Sequence, residues 1–354
     1  MMNNENIPDK EKLLSLEDRW ITEEGDYSDV VISSRVRLAR NLSDLPFPRI
    51  MNQENINTLF QMISSAIVDM QPKLELWQLE DFNKLEKRIL VEKHLVSPEH
   101  SKKEKGGVLL NKDRSVSVMV MEEDHLRIQV ILPGLNLTEA FKAADEIDDA
   151  LEEKLDIAFN EKYGYLTACP TNVGTGLRAS VMLHLPGLVL TKQAGRVLSA
   201  LTQVGVVVRG IYGEGTEALG NLFQISNQIT IGRSEDEIIN NLYSIVLKII
   251  DQEKDARVML AKEIEVMLTD RVYRAYGILT NARTITSEEA LSLLSDLKLG
   301  IDLKIIADVE TNIFQKVMIS VQPAYLQYSM GKEMSPIERD ANRSKAIRNL
   351  LVKR

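Results

Sequence analysis

Between residues 29 and 231 the apolar positions fall into short runs rich in Val, Ile and Leu: DVVISSRVRL (29–38), SVSVMVM (115–121), LRIQVIL (126–132), LRASVMLHL (177–185), VGVVVRGIY (204–212) and LFQISNQITI (222–231). Several alternate apolar with polar residues at a period of two, the pattern of half-buried strands, and turn residues and helical patterns separate them. Beyond about residue 250 the helical rhythm takes over. Ser234 with Glu237, Thr286 with Glu289 and Ser335 with Glu338 have the spacing of a capping box, and Pro336 takes a favourable first helical position. The pattern predicts an N-terminal segment over 1–29, an α+β domain over 30–254 and a helical domain over 255–354.

In DVVISSRVRL the even positions Val30, Ile32, Val36 and Leu38 should face a core, which puts Arg35 and Arg37 together on the opposite face. Arg127 in LRIQV, Arg178 in LRASV and Arg209 in VVVRG also stand at strand positions with core-like neighbours. Each alone reads as a solvated strand residue. Converging, the five would present rigid forks of donors to a triphosphate without a Walker loop. No GxxxxGK[ST] occurs, and VGTGLRAS lacks the third glycine and following helix of a dinucleotide fingerprint.

Composition narrows the partners. The 354 residues are long for one core, and 44% hydrophobic with 27% charged residues fits a globular protein in water. No stretch approaches the roughly 18 apolar residues of a membrane span. The opening MMNNENIPDKEK lacks the order of a secretory signal, and the lone Cys169 allows no internal disulfide, so a reducing cytoplasm is expected. Four scattered histidines and one cysteine give no metal-ligand spacing. A net charge of −9 argues against broad binding to nucleic acid or an anionic membrane, so anion binding has to be local.

Two acidic turns follow arginine-bearing strands or precede them: MEEDH at 121–125 and GEGTE at 213–217. Glu123 and Glu214 alone read as turn acids. Each, however, stands within a few residues of Arg127 or Arg209, and paired carboxylates can orient a guanidinium and accept its proton during phosphorylation. Cys169 reads either as a small buried hydrophobe or, in the polar loop CPTNVGTG near several arginines, as a thiol tending towards thiolate that helps hold a cation.

SSRVR at 33–37, EEDHLRI at 122–128, CPTNVGTGLRAS at 169–180 and RGIYGEGTEA at 209–218 resemble, in order and spacing, the motifs of the ATP:guanidino phosphotransferases, the arginine and creatine kinases. The resemblance implies a phosphagen-kinase-type catalytic domain, an antiparallel sheet flanked by helices, that binds ATP with Mg2+. Carried over by position, Arg35, Arg37, Arg127, Arg178 and Arg209 would contact phosphates. Ser33, Ser34, Val36, Ala179, Ser180, Val181, Met182, Gly210, Tyr212 and Gly213 of the same motifs would line the nucleotide site. His94 would lie near the nucleoside, and Glu123, Glu214 and Cys169 would surround the acceptor guanidinium. Where the family usually has Asn, His and His this chain has Met121, Met182 and Gly215, and Tyr212 replaces an expected arginine; these departures bear on the acceptor. Small-substrate members also carry a helical domain of about a hundred residues before SSRVR, where about thirty residues stand here.

The whole chain is similar to the bacterial branch of the family that phosphorylates arginine side chains of proteins. That likeness implies protein substrates with exposed arginines, marking for a Clp-type unfoldase and protease, a link to a heat-shock repressor, a zinc-binding activator protein and a possible homodimer. SPIERDANRS at 335–344 starts a helix that sets Arg339 and Arg343 four residues apart beside Asp340, and it resembles an RDxxRA element that binds phosphoarginine and acts allosterically on catalysis, with Ser344 in place of the alanine. The residues leave two other readings open: a kinase of a free guanidino compound, and an adaptor that keeps the fold without the activity.

Overall fold

The computed structural model describes residues 10–210, 218–307 and 309–352. Among them ten strands form: β1 Val31–Arg40, β2 Glu75–Gln78, β3 Gly107–Leu110, β4 Val116–Val120, β5 Leu126–Pro133, β6 Phe159–Asn160, β7 Gly164–Tyr165, β8 Leu177–His184, β9 Val206–Gly210 and β10 Leu222–Asn227. All six strands expected from the sequence are present. The short β2, β3 and the two-residue pair β6–β7 carry no readable alternation. Eight strands make one antiparallel sheet in the order β2-β3-β4-β5-β1-β8-β10-β9.

The helices are α1 Lys10–Leu14, α2 Arg19–Thr22, α3 Gln53–Ala66, α4 Lys84–Glu92, α5 Pro98–Ser101, α6 Leu137–Glu152 and α7 Pro186–Leu190, then α8 Ala194–Thr202 and α9 Glu235–Glu263. The C-terminal part adds α10 Glu265–Asn281, α11 Ser287–Asp302, α12 Ile313–Ser320, α13 Pro323–Ser329 and α14 Pro336–Leu351. Ser234 and Ser335 form full capping boxes with Glu237 and Glu338, while Thr286 caps α11 by accepting the Glu289 N–H. The expected boundary at 254/255 falls inside α9, which runs unbroken to Glu263; the chain turns at Ile264.

One face of the sheet, the rear, packs on α6 and α9. Leu137, Ala140, Ala144, Ile147 and Leu151 of α6 recur every three or four residues and meet Val36, Leu38, Val130, Ala179 and Val181 in the main core. Two apolar clusters cover parts of the front face among the described residues. Towards β2, Trp77, Val108, Leu110 and Met119 pack on α4 and on Ala324 of α13. At the other end Ile131, Met182 and Leu222 pack with α11, α12 and Trp20. A β-bulge between Val31 and Ser33 turns Ile32 into this front cluster, so it does not share a face with Val30 and Val36 as strict alternation predicted.

Buried charge ties the helical part to the sheet. Arg257 of α9 pairs with Glu253 at 2.6 Å and with Asp302 of α11 at 3.2 Å, and Lys298 reaches Asp302 at 3.0 Å. Arg257 also donates to the Asp29 and His184 carbonyls, and Glu253 accepts the Gly187 and Leu188 N–H groups at the start of α7. His184 Nε2 lies 2.7 Å from Ser295 Oγ of α11.

Burial holds the histidines neutral: His94 and His100 fall to about 4, and His125 and His184 are lowered as well. His100 is fully buried with Nε2 2.9 Å from the Gly107 carbonyl, which fixes that nitrogen as the donor. With a folded value below its ordinary 6.5, its contribution to stability is complete above pH 6.5 and is lost as pH falls towards 4. Glu92, pushed up to about 7, and Asp148, to about 6, act with the opposite sign, favouring the fold as pH falls. His100→Gln should therefore lose less stability than the parent between pH 6.5 and 4, by at most about 1.4 kcal/mol per pH unit. Urea titrations across that range check it; parallel curves for the two proteins would contradict the neutral ring.

Candidate active site

The middle of the front face is where the arginines meet. β1 lies between β5 and β8, with Arg37 opposite Gln129 on one side and Arg178 on the other. Arg35 stands opposite Ser180 and Ile131; Arg127 is two residues along β5 from Gln129, and Arg209 on β9 stands opposite Gln224. Arg35 donates to Ser180 Oγ at 3.3 Å and to Gln224 Oε1 at 3.2 Å, and Arg178 to Ser226 Oγ at 3.4 Å. Arg37 Nε and Arg178 Nε are buried without a hydrogen-bond partner among the described residues.

Like charges directly opposite in an antiparallel pair destabilise it. Burial, then repulsion from Arg127 and Arg178, brings Arg35 down to about 10; burial and three arginine neighbours pull Arg37 well below its ordinary value. Arg178 is lowered by burial and by Arg209 and Arg127. Such a cluster, with donors left over, is built for a polyanion.

Strand alternation divides the expected nucleotide motifs. Arg35, Arg37, Ser33, Arg178, Ser180 and Met182 belong to the front face, although Met182 is taken up by the apolar cluster with Ile32 and Ile131. The side chains of Ser34, Val36, Ala179 and Val181 do not face a nucleotide on this side: the last three are in the rear core, and Ser34 Oγ donates to the Gly134 carbonyl at 2.8 Å. Gly210 pairs with Phe223 at the end of β9. Tyr212, Gly213, Glu214 and Gly215 lie outside the described residues.

The acidic turn after β4 uses its three carboxylates differently. Glu122 is buried; its Oε1 takes Arg127 at 2.9 Å and the Ser97 hydroxyl at 2.7 Å, and its Oε2 takes the Glu123 N–H at 2.6 Å. Burial raises its pKa, but Arg127, Ser97 and that N–H together bring it below the ordinary value. Asp124, also buried, accepts from Asn41 and from the Ala168 N–H, both at 2.7 Å, so it ties the turn to the loop carrying Cys169. Glu123 alone projects outward, with its pKa raised by partial burial and by repulsion from Asp124 and Glu122. Cys169 is half-buried, with Sγ 3.0 Å from Thr171 Oγ1 and its carbonyl accepting from Thr167 at 2.8 Å.

His94 closes the cationic face on the α4 side. Its backbone φ is +61°, its carbonyl accepts from Gln129 at 2.8 Å, and its ring lies 5.5 Å from that of Trp20. Burial and the nearby Arg35 keep the ring neutral, and its buried Nε2 has no partner among the described residues. Sequence reasoning missed Glu122, Asp124, Ser97 and Asn41 as the groups that fix the turn. Three consecutive acids look alike in a sequence, and only the turn decides which grips an arginine, which grips a loop and which faces outward.

A sheet of this topology, bearing a cationic face beside an acidic turn and a thiol loop, defines a phosphotransferase of the guanidino-kinase type. Residues 55–256 match the family model "ATP:guanido phosphotransferase, C-terminal catalytic domain", and residues 265–354 match "Protein-arginine kinase McsB C-terminal domain". The chain is 54% identical to a protein-arginine kinase of Moorella thermoacetica, over 94% of this chain and 97% of the relative. With that of Bacillus subtilis it shares 50%, over 94% and 93%. Among solved structures, a taurocyamine kinase of Schistosoma mansoni with bound transition-state-analogue components superposes with a TM-score of 0.58 at 28% identity, covering 71% of this chain and 36% of that duplicated one. The chain belongs to the protein-arginine kinases of the ATP:guanido phosphotransferase family.

Removing one cross-strand arginine should relieve repulsion. Arg178→Ala is expected to raise the stability of the nucleotide-free protein by about 0.2–1 kcal/mol while abolishing the rise in Tm that ATP gives the parent. Thermal melts with and without nucleotide check this; a less stable variant that kept its full ATP-dependent shift would contradict it.

Proposed function

We propose that this chain transfers the terminal phosphoryl group of ATP to the guanidinium of arginine side chains in proteins. The observation that carries the reading is the adjacency of an arginine face with a single carboxylate partner among the described residues, Glu122, suited to polyphosphate, to an outward carboxylate with a raised pKa, suited to a cationic acceptor. Arg35, Arg37, Arg127, Arg178 and Arg209 would hold the phosphates; Arg127 is oriented for this by Glu122. Mg2+ would arrive on the phosphates, as it does where few protein carboxylates hold it. When bound, MgATP supplies an electrophilic phosphorus. A guanidinium nitrogen forms the N–P bond as the bond from that phosphorus to the ADP oxygen breaks, and the nitrogen's proton passes to Glu123. Glu214 is the proposed second carboxylate, and Cys169, held through Ala168 on Asp124, would face the same cation.

The partners named by resemblance, a heat-shock repressor, a Clp-type unfoldase, a zinc-binding activator and a second copy of the chain, belong to this proposal, as does a cytoplasmic setting. No helix among the described residues is long and apolar enough to cross a membrane.

The experiment is incubation with labelled ATP and a model protein: acid-labile phosphate on arginine is expected, and label found only on Ser, Thr or Tyr would overturn the reading. Glu123→Gln should lose turnover with little change in ATP affinity. The parent's rate should fall as acid protonates Glu123, and the residual rate of the variant should lack that fall. A variant with normal kcat removes Glu123 from the chemistry. Cys169→Ala should be folded and strongly impaired; full activity would leave the thiol a loop residue.

A second site is proposed on α14. Arg343 is 2% exposed and donates to the Val321 carbonyl at 3.1 Å and the Ile285 carbonyl at 2.8 Å while pairing with Asp340. It therefore braces the helix and positions Asp340. Arg339 and Asp340 are half-buried, and Arg339 donates to the Met334 carbonyl at 2.9 Å. We assign these two as the groups that would meet a phosphoarginine, the cation taking phosphoryl oxygens and the carboxylate the guanidino part. Added phosphoarginine should raise the activity of the parent and not of Asp340→Ala; equal responses would reject the pocket.

A further inference from the structure

A groove of about 720 Å³ lies between α4 and the segment 98–104, on the outer side of the acidic turn. Five cations line it: Lys84, Lys87 and Arg88 from α4, and Lys102 and Lys103 from the facing wall. On α4, Lys84, Lys87, Arg88 and Val91 follow at i, i+3, i+4 and i+7, so they share one face, while Ile89 and Leu90 are buried in the core below. Like charges at i and i+4, as in Lys84 and Arg88, cost helix stability. In a chain of net charge −9 this is a local reversal of sign.

Two acids stand against the five cations. Glu104 is exposed, and Glu92 turns both oxygens to the Ala324 and Tyr325 N–H groups at 2.8 Å, the start of α13. Burial raises Glu92 to about 7, which reduces its negative charge further near neutrality.

The groove is continuous with the acceptor side of the site. Lys87 Nζ donates to the Lys103 carbonyl at 3.1 Å, and Lys103 Nζ donates to the Met121 carbonyl at 2.6 Å and to that of Glu122. Lys103 thus touches the backbone beside Glu123 and contributes to its electrostatics. A polypeptide whose arginine is presented at Glu123 has its neighbouring residues over this wall.

We propose that the groove docks an acidic segment of the protein substrate, rich in Asp and Glu and a few residues from the acceptor arginine. The inference rests on the protein-substrate reading above. Charge selects the segment: Glu123 takes the cationic arginine, and the lysines and Arg88 take the acids beside it, so acidic stretches enclosing one arginine are favoured over uniformly basic ones. Contacts between exposed charges act on encounter and KM more than on turnover and weaken with salt.

The test uses the full chain and two pairs of labelled peptides. One pair carries a single arginine flanked by Glu and Asp or by Gln and Asn; the other has the same flanks with the arginine replaced by Gln. The parent should show a KM on the order of tenfold lower for the acidic arginine peptide, an advantage that shrinks in high salt, with similar kcat. Fluorescence anisotropy should show it binding the arginine-free acidic peptide more tightly than the neutral one. Lys84→Glu with Arg88→Glu should abolish both preferences and leave KM for ATP unchanged; Lys84→Gln with Arg88→Gln should do so in part, with unaltered melting as the check on folding. Equal KM and equal binding for the two flanks would overturn the docking site, as would a variant in which KM for ATP rises, since the groove would then serve nucleotide. If neither arginine peptide is phosphorylated the protein-kinase reading fails, and anisotropy with the arginine-free pair still decides the groove.

Discussion

Repulsion among guanidinium groups is the constraint around which the rest of the molecule is arranged. Arg37 and Arg178 face each other across two central strands, with Arg35 and Arg127 close by, and burial lowers the pKa of three of the four. A sheet left to its own stability would not choose this. The arrangement is held by the strands on both sides and by α6 and α9 packed on the rear face, where the alternate residues of the same strands are buried. One carboxylate, Glu122, is spent on Arg127, and hydroxyls and an amide satisfy parts of Arg35 and Arg178.

Around that face the protein uses polar groups to fix loops. Asp124 and Asn41 pin the turn of Glu123 to the loop of Cys169, so two segments more than forty residues apart in sequence are held side by side. His125 supports the same corner: its Nδ1 accepts the Leu42 N–H at 3.0 Å and its Nε2 lies 2.8 Å from the Pro46 carbonyl, which sets a neutral tautomer. Each of these groups is buried, and together they decide where Glu123 points.

The helical part is joined to the catalytic part through fully paired buried charge rather than through apolar packing alone. Glu253, Arg257, Lys298 and Asp302 balance one another, and backbone groups fill their remaining valences. Removing one partner from such a network typically costs about 3–5 kcal/mol. Because α9 runs from the sheet into this network without a break, and Glu92 of α4 caps α13, the helical part whose α14 bears Arg339 and Asp340 is tied to the sheet part at two places.

The sequence by itself determined the strands that matter, three of the helix starts and the family, because period-two alternation, capping spacing and four motifs in order are local signals. It put Arg35 and Arg37 on one face for the same reason. Tertiary structure decided what alternation leaves open. A one-residue bulge moved Ile32 to the front, the pairing register set Arg178 opposite Arg37, and the turn divided Glu122, Glu123 and Asp124 among three tasks. Side-chain direction at a bulge or turn depends on one backbone residue more or less, and Arg37 and Arg178 lie over a hundred residues apart. No local pattern carries that information.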